Sequence, residues 1–132
     1  MNRIFLIILV TAYIFTSCRS TPAQQETGNY NLRPGDILFQ DLDCGPACDA
    51  IESVTEGVNG MDFSHCGIVA DIDGELKVVE AYGSVQAVPV DSFLARSMDK
   101  AGNPKVVVGR LKNNSELADN SAEISKSYLG KA

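Results

Sequence analysis

Residues 62–70 read DFSHCGIVA and residues 75–82 read ELKVVEAY, with DIDG between them at 71–74. Both runs are rich in apolar and β-branched residues, and the pair Asp73-Gly74 favours a two-residue hairpin turn. The sequence therefore predicts a β-hairpin with strands over roughly 64–70 and 75–82. The only histidine of the chain, His65, lies at the start of the first strand.

The hairpin register decides what this histidine meets. In the simplest register Ile72 pairs with Glu75, and Gly67 then lies opposite Glu80. Glu80 becomes a diagonal neighbour of His65, about 7–8 Å away between Cα atoms and within reach of its long side chain. Gly67 has no side chain that could block this contact. We therefore predict that His65 and Glu80 meet on one face of the hairpin.

The two faces of the predicted hairpin differ in polarity. Tyr82 joins His65 and Glu80 on one face because side chains alternate along a strand. The other face carries only small or apolar side chains, namely Cys66, Ile68, Val79 and Ala81. We expect this apolar face to be the core side and the His65 face to be the opposite one.

A histidine that contacts a carboxylate has two interpretations. The carboxylate can orient the imidazole and stabilise its protonated form, which is the arrangement of a general base that activates a thiol or hydroxyl nucleophile. Alternatively, His65 and Glu80 form an exposed cross-strand polar pair without catalytic meaning. Spacing alone favours this second interpretation.

Length and composition limit the classes of protein that this chain can be. The 132 residues allow one domain, and 45% hydrophobic with 21% charged residues is an ordinary globular composition. The formal net charge of −6 repels nucleic acid and anionic lipid head groups, so we expect neither as a partner.

The N-terminal segment is typical of an export signal. A short basic start, Met1–Arg3, precedes the apolar run Ile4–Phe15, which ends at Thr16-Ser17-Cys18. Small residues before a cysteine resemble a bacterial lipobox, although Phe15 stands where Leu, Val or Ile is usual. We predict a lipoprotein signal over 1–18, lipidation of Cys18, and a secreted protein anchored to the membrane of a bacterial cell envelope by acyl chains. A plain signal peptide and an uncleaved anchor are the alternatives.

The remainder of the chain reads as a tether followed by one domain. Residues 19–31 are polar with Pro and Gly and predict a flexible tether, and residues 32–132 form the domain. Outside the hairpin, strands are predicted at 37–40, 85–88 and 105–111. Helices are predicted at 43–56, 91–96 and 115–129, with Asp43, Asp91 and Ser115 as their N-caps. This order predicts an α+β fold with an antiparallel sheet and flanking helices.

Three cysteines remain in the domain. Cys44 and Cys48 are four residues apart on the predicted helix, where a disulfide is possible but geometrically poor. A single histidine and scattered cysteines do not form zinc-ligand pairs, so we expect no metal and no cofactor. Cys44 lies at the first turn of the helix, where a thiol pKa is lowered, and is therefore the better placed of the two as a nucleophile.

Four segments together resemble the circularly permuted papain-like cysteine amidases, the YiiX/YaeF-like branch of the NlpC superfamily. The segments are Leu32–Gln40 (LRPGDILFQ), Phe63–Val69 (FSHCGIV), Val78–Ala81 (VVEA) and Val85–Leu94 (VQAVPVDSFL). The resemblance covers most of residues 32–129. It implies that His65 is the catalytic base and Glu80 the polar residue that orients it, with Gln40 and Tyr82 as active-site neighbours. It also implies that Cys66 is a core residue.

The same resemblance implies a function and an incomplete chain. In permuted relatives the nucleophilic cysteine follows a segment like Tyr128–Lys131, so we expect the nucleophile beyond residue 132 and an incomplete, inactive papain-like domain. The implied reaction is acyl transfer from an amide or ester, with a cell-wall peptide or an acyl amide as the substrate. A natural short form stays open, as does a non-catalytic envelope binding module that uses the His65 face as a ligand groove. A further version uses Cys44 as the nucleophile, although no segment typical of a nucleophile follows it.

Overall fold

A computed structural model describes residues 31–132 of the chain. The predicted signal segment, the lipidation of Cys18 and nearly all of the predicted tether lie outside these residues. Along the described part the elements follow one another as β1 (Ile37–Gln40), α1 (Pro46–Glu52), β2 (His65–Ile72), β3 (Glu75–Tyr82), β4 (Ser84–Pro89), α2 (Val90–Leu94), β5 (Val106–Gly109) and α3 (Ser115–Lys126).

The five strands form one sheet in the order β4-β3-β2-β1-β5, and every neighbouring pair is antiparallel. α2 packs against β3 and β4, whereas α3 packs against β2. The predicted α+β class with an antiparallel sheet and flanking helices is therefore confirmed.

The central hairpin has the predicted register. Ile72 pairs with Glu75 and Gly67 pairs with Glu80. Asp73 and Gly74 have φ angles of 58° and 83°, and two positive φ angles in a two-residue loop define a type I′ turn, whose twist matches that of the strands. Local sequence alone therefore fixes which side chains of β2 and β3 share a face.

The expectation of a single core side is wrong, because both faces of the sheet are covered. The larger apolar cluster lies on the His65 face and consists of Leu38, Val69, Val78, Phe93 and Val106. A smaller cluster lies on the other face and consists of Ala70, Val79 and Ala122, the last from α3. The two helices pack on opposite sides of the sheet, so His65 lies at the border of the main core.

The second face is covered only in part, and this decides the environment of Cys66. α3 packs on the middle of the sheet, and Cys66 at the start of β2 stays exposed. Cys66 is therefore not a core residue, contrary to what the resemblance implied.

The first helix is shorter than the predicted span 43–56. It begins at Pro46, because Gly45 has a φ of 83° and Pro46 has the fixed φ that suits the first helical position. Asp43 does not cap this helix, since its carboxylate binds Lys105 instead. The helix ends at Glu52.

Cys44 and Cys48 form a disulfide, which we expected to be geometrically poor. That expectation assumed that both residues lie within one helix. Because the helix begins only at Pro46, Cys44 lies in the preceding loop, and its Cα is 5.3 Å from that of Cys48. This separation is within the usual range for a disulfide.

The other two predicted caps are also displaced. Asn114, and not Ser115, caps α3, since its Oδ1 accepts a hydrogen bond from Leu117 N at 3.0 Å. Asp91 lies within the first turn of α2 and makes no cap, because β4 continues to Pro89 and the helix starts at Val90. Within residues 31–132, none of the helices has the length and hydropathy needed to cross a membrane.

Candidate functional site

His65 lies at the end of the sheet where β1, β2 and β3 meet α2. It begins β2 and pairs with Gln40 of β1. Its ring stacks on Phe93 of α2, with centroids 5.8 Å apart, and meets Tyr82 of β3 edge-on at 5.7 Å. Only 13% of its side chain is exposed, and these two rings flank the imidazole.

The predicted contact between His65 and Glu80 is present. His65 Nε2 lies 2.7 Å from Glu80 Oε2, and the Glu80 side chain has no exposed surface. The pair is therefore not exposed, whereas its predicted catalytic role stays a prediction. The physical reason for its burial is α2, which covers this face of the sheet through Phe93.

A third charged residue, Arg96, completes the site and was not predicted. Its NH1 donates to Glu80 Oε2 at 2.7 Å and its NH2 donates to Glu80 Oε1 at 2.6 Å. Such bidentate arginine–carboxylate pairs have short, strong and directional hydrogen bonds. We call these three residues the His65–Glu80–Arg96 cluster.

The cluster determines the charge of Glu80. Burial of the Glu80 carboxyl raises its pKa, but the hydrogen bonds and positive charges of Arg96 and His65 outweigh burial and hold the pKa below its usual value. The bond to Glu80 in turn raises the pKa of Arg96. Glu80 is therefore a carboxylate at neutral pH.

The charge of Glu80 fixes which nitrogen of His65 carries the proton. A carboxylate only accepts hydrogen bonds, so His65 Nε2 must be the donor in the bond to Glu80. In the neutral ring Nδ1 then has a free lone pair. The geometry therefore makes Nδ1 the atom of His65 that can take up a proton.

Gly67 is required for packing rather than for the reach of Glu80. A Cβ at Gly67 would overlap Val78 Cγ1 and lie 3.3 Å from Phe93 Cε2. Glu80 is absent from its three nearest neighbours. The absence of a side chain at Gly67 lets Phe93 approach the sheet and stack on His65.

Gln40 supports the same contact from β1. Its side chain is fully buried, and Nε2 donates to the backbone carbonyl of Phe93 at 2.8 Å. Its Oε1 is buried and has no hydrogen-bond partner within residues 31–132. The structure thus places Gln40 beside the cluster, where it anchors α2 to the sheet. Its predicted part in an active site stays a prediction, as does that of Tyr82.

The cysteines of the described chain do not share the His65 face as free thiols. Cys44 and Cys48 are joined in the disulfide. Cys66 is free, but it follows His65 directly in β2 and so projects from the opposite face of the sheet. Among residues 31–132, therefore, no free thiol lies on the face that carries His65.

A separate group of acidic residues does not fit a metal ion. Asp41, Asp43 and Glu52 have carboxylate oxygens within 4.8 Å of one another. Lys105 Nζ already binds Asp41 Oδ1 at 2.7 Å and Asp43 Oδ2 at 2.5 Å. A metal ion would have to displace this ammonium group.

Arg110 forms a second arginine–carboxylate ion pair within the protein. Its Nε and NH2 each donate at 2.7 Å to the carboxylate of Asp36, which is almost fully buried. Asp36 also accepts a hydrogen bond from Arg33 N at 2.8 Å, which closes the turn before β1. This pair lies at the opposite end of β1 from Gln40 and serves the fold.

Fold and site together define an α+β protein with an antiparallel sheet covered on both faces and a mostly buried histidine bound to a carboxylate. No protein-family model matches the chain, and no curated protein matches it. Among solved structures, the chain is similar to the crystal structure of the metalloprotein YiiX from Escherichia coli O157:H7, described as DUF1105.

The likeness to YiiX amounts to 30% sequence identity and a TM-score of 0.54. It covers 74% of this chain and 51% of the YiiX chain, so the present chain spans about half of that structure. The likeness supports the fold.

Arg96 and Phe93 are the residues of the site that the sequence did not reveal. The sequence predicted a short helix over 91–96 but gave no indication of the sheet face on which it packs. One signal was available, because a glutamate placed in a buried sheet requires a cation nearby. This inference is possible only once the His65 face is known to be buried.

Proposed function

We propose that this chain is part of a thiol hydrolase that acts on an amide or ester acyl bond. The observation that carries the proposal is the bond between His65 Nε2 and the ionised Glu80, which leaves Nδ1 as the basic nitrogen. The four sequence segments that resemble permuted papain-like amidases support this class of reaction, and the likeness to YiiX supports the fold.

The proposed reaction is acyl transfer in two stages. A cysteine thiol gives its proton to His65 Nδ1, and the thiolate attacks the acyl carbonyl carbon, forming a C–S bond. The leaving amine or alcohol takes the proton from the imidazolium as its bond to the acyl carbon breaks. Water then attacks the thioester with His65 again as base, which releases the acid and the thiol. Glu80 orients the ring and stabilises the imidazolium throughout.

The proposal needs a thiol from outside residues 31–132, since those residues offer no free thiol on the His65 face. The family resemblance suggests a segment C-terminal to residue 132 as its source. We further propose a cell-wall peptide or an acyl amide as the substrate, and a secreted protein held at the bacterial envelope through a lipidated Cys18. The proposed substrate rests on the family resemblance, and the proposed location rests on the lipobox-like sequence.

Turnover assays on the complete natural polypeptide that contains this chain test the proposal. We expect hydrolysis of at least one substrate from a panel of cell-wall peptides, acyl amides and acyl esters. His65→Ala should lower kcat/KM by about 10²–10⁴-fold, the usual contribution of a general base. Cys66→Ala is the matched control and should leave kcat/KM unchanged. Hydrolysis that persists in His65→Ala would contradict the proposal.

The competing function is a non-catalytic binding module, and the absence of a free thiol on the His65 face among residues 31–132 favours it. It predicts that the complete polypeptide binds one of the panel compounds without turnover and that His65→Ala weakens this binding. A version of the enzyme that uses Cys44 requires reduction of the disulfide first. It predicts labelling of Cys44 by a thiol-reactive acyl probe only in the presence of a reductant.

A metal-dependent function, which the description of YiiX would suggest, is not what the site favours. The group Asp41, Asp43 and Glu52 carries the ammonium of Lys105, and Lys105 is itself held there strongly. Burial lowers the pKa of Lys105, but its bonds to Asp41 and Asp43 outweigh burial and raise the pKa above the usual value. The ammonium therefore stays charged and keeps its place at neutral pH.

A further inference from the structure

We propose that Arg96 is a positioning residue that selects the tautomer of His65. The inference rests on the proposed function, because it gives Nδ1 of His65 the role of base. Arg96 touches neither the ring nitrogens nor the position of a reacting atom in our scheme. It acts on His65 through Glu80, and this action is separate from its contribution to the fold.

The hydrogen bonds of Glu80 leave its carboxylate a single orientation. Oε2 accepts from both His65 Nε2 and Arg96 NH1, and Oε1 accepts from Arg96 NH2. Rotation of the carboxylate would break charged hydrogen bonds in a place where no water can replace them, since the Glu80 side chain is fully buried. Arg96 thus keeps Oε2 directed at Nε2.

The protonation state of Glu80 decides the direction of the bond to His65. An ionised Glu80 can only accept, which requires the proton on Nε2 and leaves Nδ1 bare. A buried glutamate without a cation favours its neutral form. Neutral Glu80 carries an O–H group that can donate to Nε2, and the neutral imidazole then keeps its proton on Nδ1. Loss of the Arg96 charge would therefore favour the tautomer that is protonated at Nδ1. The unprotonated, basic nitrogen would then be Nε2, which faces Glu80.

Arg96 is held in place by the same two rings that flank His65. Its Cζ lies 4.9 Å from the ring centre of Tyr82 and 5.3 Å from that of Phe93. Guanidinium groups over aromatic faces are attracted by the ring quadrupole. The titratable or charged groups in this cluster are Glu80, Arg96, His65 and Tyr82. Arg96 and His65 thus share both their carboxylate and their aromatic neighbours.

The chain offers a matched control for a purely structural role. Arg110 also binds a buried carboxylate, that of Asp36, through two hydrogen bonds, but it uses Nε and NH2 where Arg96 uses NH1 and NH2. An arginine that only stabilises the fold should behave like Arg110 when it is replaced. A positioning residue should in addition change the state of His65.

Nitrogen-15 NMR of His65 tests the proposal directly. His65 is the only histidine of the chain, so ¹⁵N-histidine labelling yields one pair of ring signals. At a pH where the ring is neutral, we expect the parent protein to show a protonated Nε2 and a bare Nδ1. In Arg96→Gln we expect the ratio of Nε2–H to Nδ1–H forms to fall about tenfold or more, as loss of a charged hydrogen bond implies.

Two further variants complete the test. Arg110→Gln should leave the ring signals of His65 as in the parent. Arg96→Lys should give an intermediate ratio of the two tautomers, because lysine keeps the charge but cannot make the bidentate contact. If Arg96→Gln fails to fold, the ratio of the two His65 tautomers in Arg96→Lys tests the proposal instead. A parent-like ratio in the folded Arg96 variants, or a parent protein protonated at Nδ1, would overturn the proposal.

This measurement separates the proposal from the proposed function. The tautomer is read without substrate and without a nucleophile, so it can fail in a protein that proves to be a hydrolase. If the proposal holds and the complete polypeptide is a hydrolase, Arg96→Gln should lower kcat more than it raises KM, and Arg96→Lys should restore part of the loss.

Discussion

Glu80 is a fully buried acid whose charge is balanced by Arg96 and whose carboxylate also accepts a hydrogen bond from His65. Burial alone would favour its neutral form, and the lowered pKa shows that the bonds from Arg96 and His65 are the stronger effect. The same charge that accepts the hydrogen bond from His65 therefore also contributes to stability.

The lowered pKa of Glu80 predicts a pH dependence of stability. A carboxyl group whose pKa is lower in the folded chain contributes stability above its unfolded value, here 4.5, and that contribution disappears as the pH falls through the lower, folded value. At pH 7, Glu80→Gln should cost about 3 kcal/mol, because it leaves the charge of Arg96 unpaired.

Urea unfolding of the parent and of Glu80→Gln from neutral to acidic pH measures this effect. We expect the difference between the two free energies of unfolding to shrink below pH 4.5, where the parent loses the contribution of its carboxylate. A difference that stays constant over this range would mean that the folded and unfolded pKa values of Glu80 are the same.

Gly67 predicts a coupling between packing and the site. A methyl group at this position overlaps Val78 and presses on Phe93, so Gly67→Ala should lower the free energy of unfolding by about 1–3 kcal/mol. Displacement of Phe93 should also shift the NMR signals of the His65 ring, which stacks on it.

The exposed neighbour on the same strand supplies the control for this substitution. Cys66→Ala should change stability by no more than about 0.5 kcal/mol, as is usual for exposed positions. Equal effects of the two variants would show that Gly67 does not control the approach of Phe93.

At the level of elements, strands and turn were predicted better than helix ends. β1 and the register of β2 against β3 follow from local patterns, namely a short apolar run and an Asp-Gly pair with the right flanks. The predicted helix caps were wrong by one or two residues. Gly45-Pro46 delays α1, the end of β4 at Pro89 sets the start of α2, and Asn114 caps α3.

The start of α1 leads to a prediction about the disulfide. Cys44–Cys48 closes a loop of only five residues, so its removal should lower the free energy of unfolding by about 2 kcal/mol on the chain-entropy estimate. We expect Cys44→Ala/Cys48→Ala to remain folded, with faster amide hydrogen exchange confined to α1 and its flanking loop. Loss of the whole fold on reduction would contradict this limited role.

At the level of the whole molecule, the sequence predicted the class of fold and the pair His65–Glu80 but not their surroundings. The alternation of side chains shows which residues share a face, but whether a helix covers that face depends on contacts between residues far apart in the chain. Here α2 turns the polar face into the main core, and it brings Phe93 and Arg96 to the histidine. The disulfide, which the sequence allowed but made geometrically poor, was misjudged for a related reason, since its geometry depends on where a helix begins.

The two faces of the sheet differ in what covers them. The His65 face combines the larger apolar cluster with a charged cluster at its border, whereas the other face leaves Cys66 exposed. The proposed chemistry therefore belongs to one side of the sheet only, and a nucleophile that works with His65 must reach that side.

The rate at which a thiol-reactive acyl probe labels the complete natural polypeptide is the most direct test of this account. We predict labelling of a cysteine outside residues 31–132, with a second-order rate constant that falls about 10²-fold or more in His65→Ala and is unchanged in Cys66→Ala. Labelling of that cysteine that is equally fast in His65→Ala would show that His65 is not the base of a thiol hydrolase.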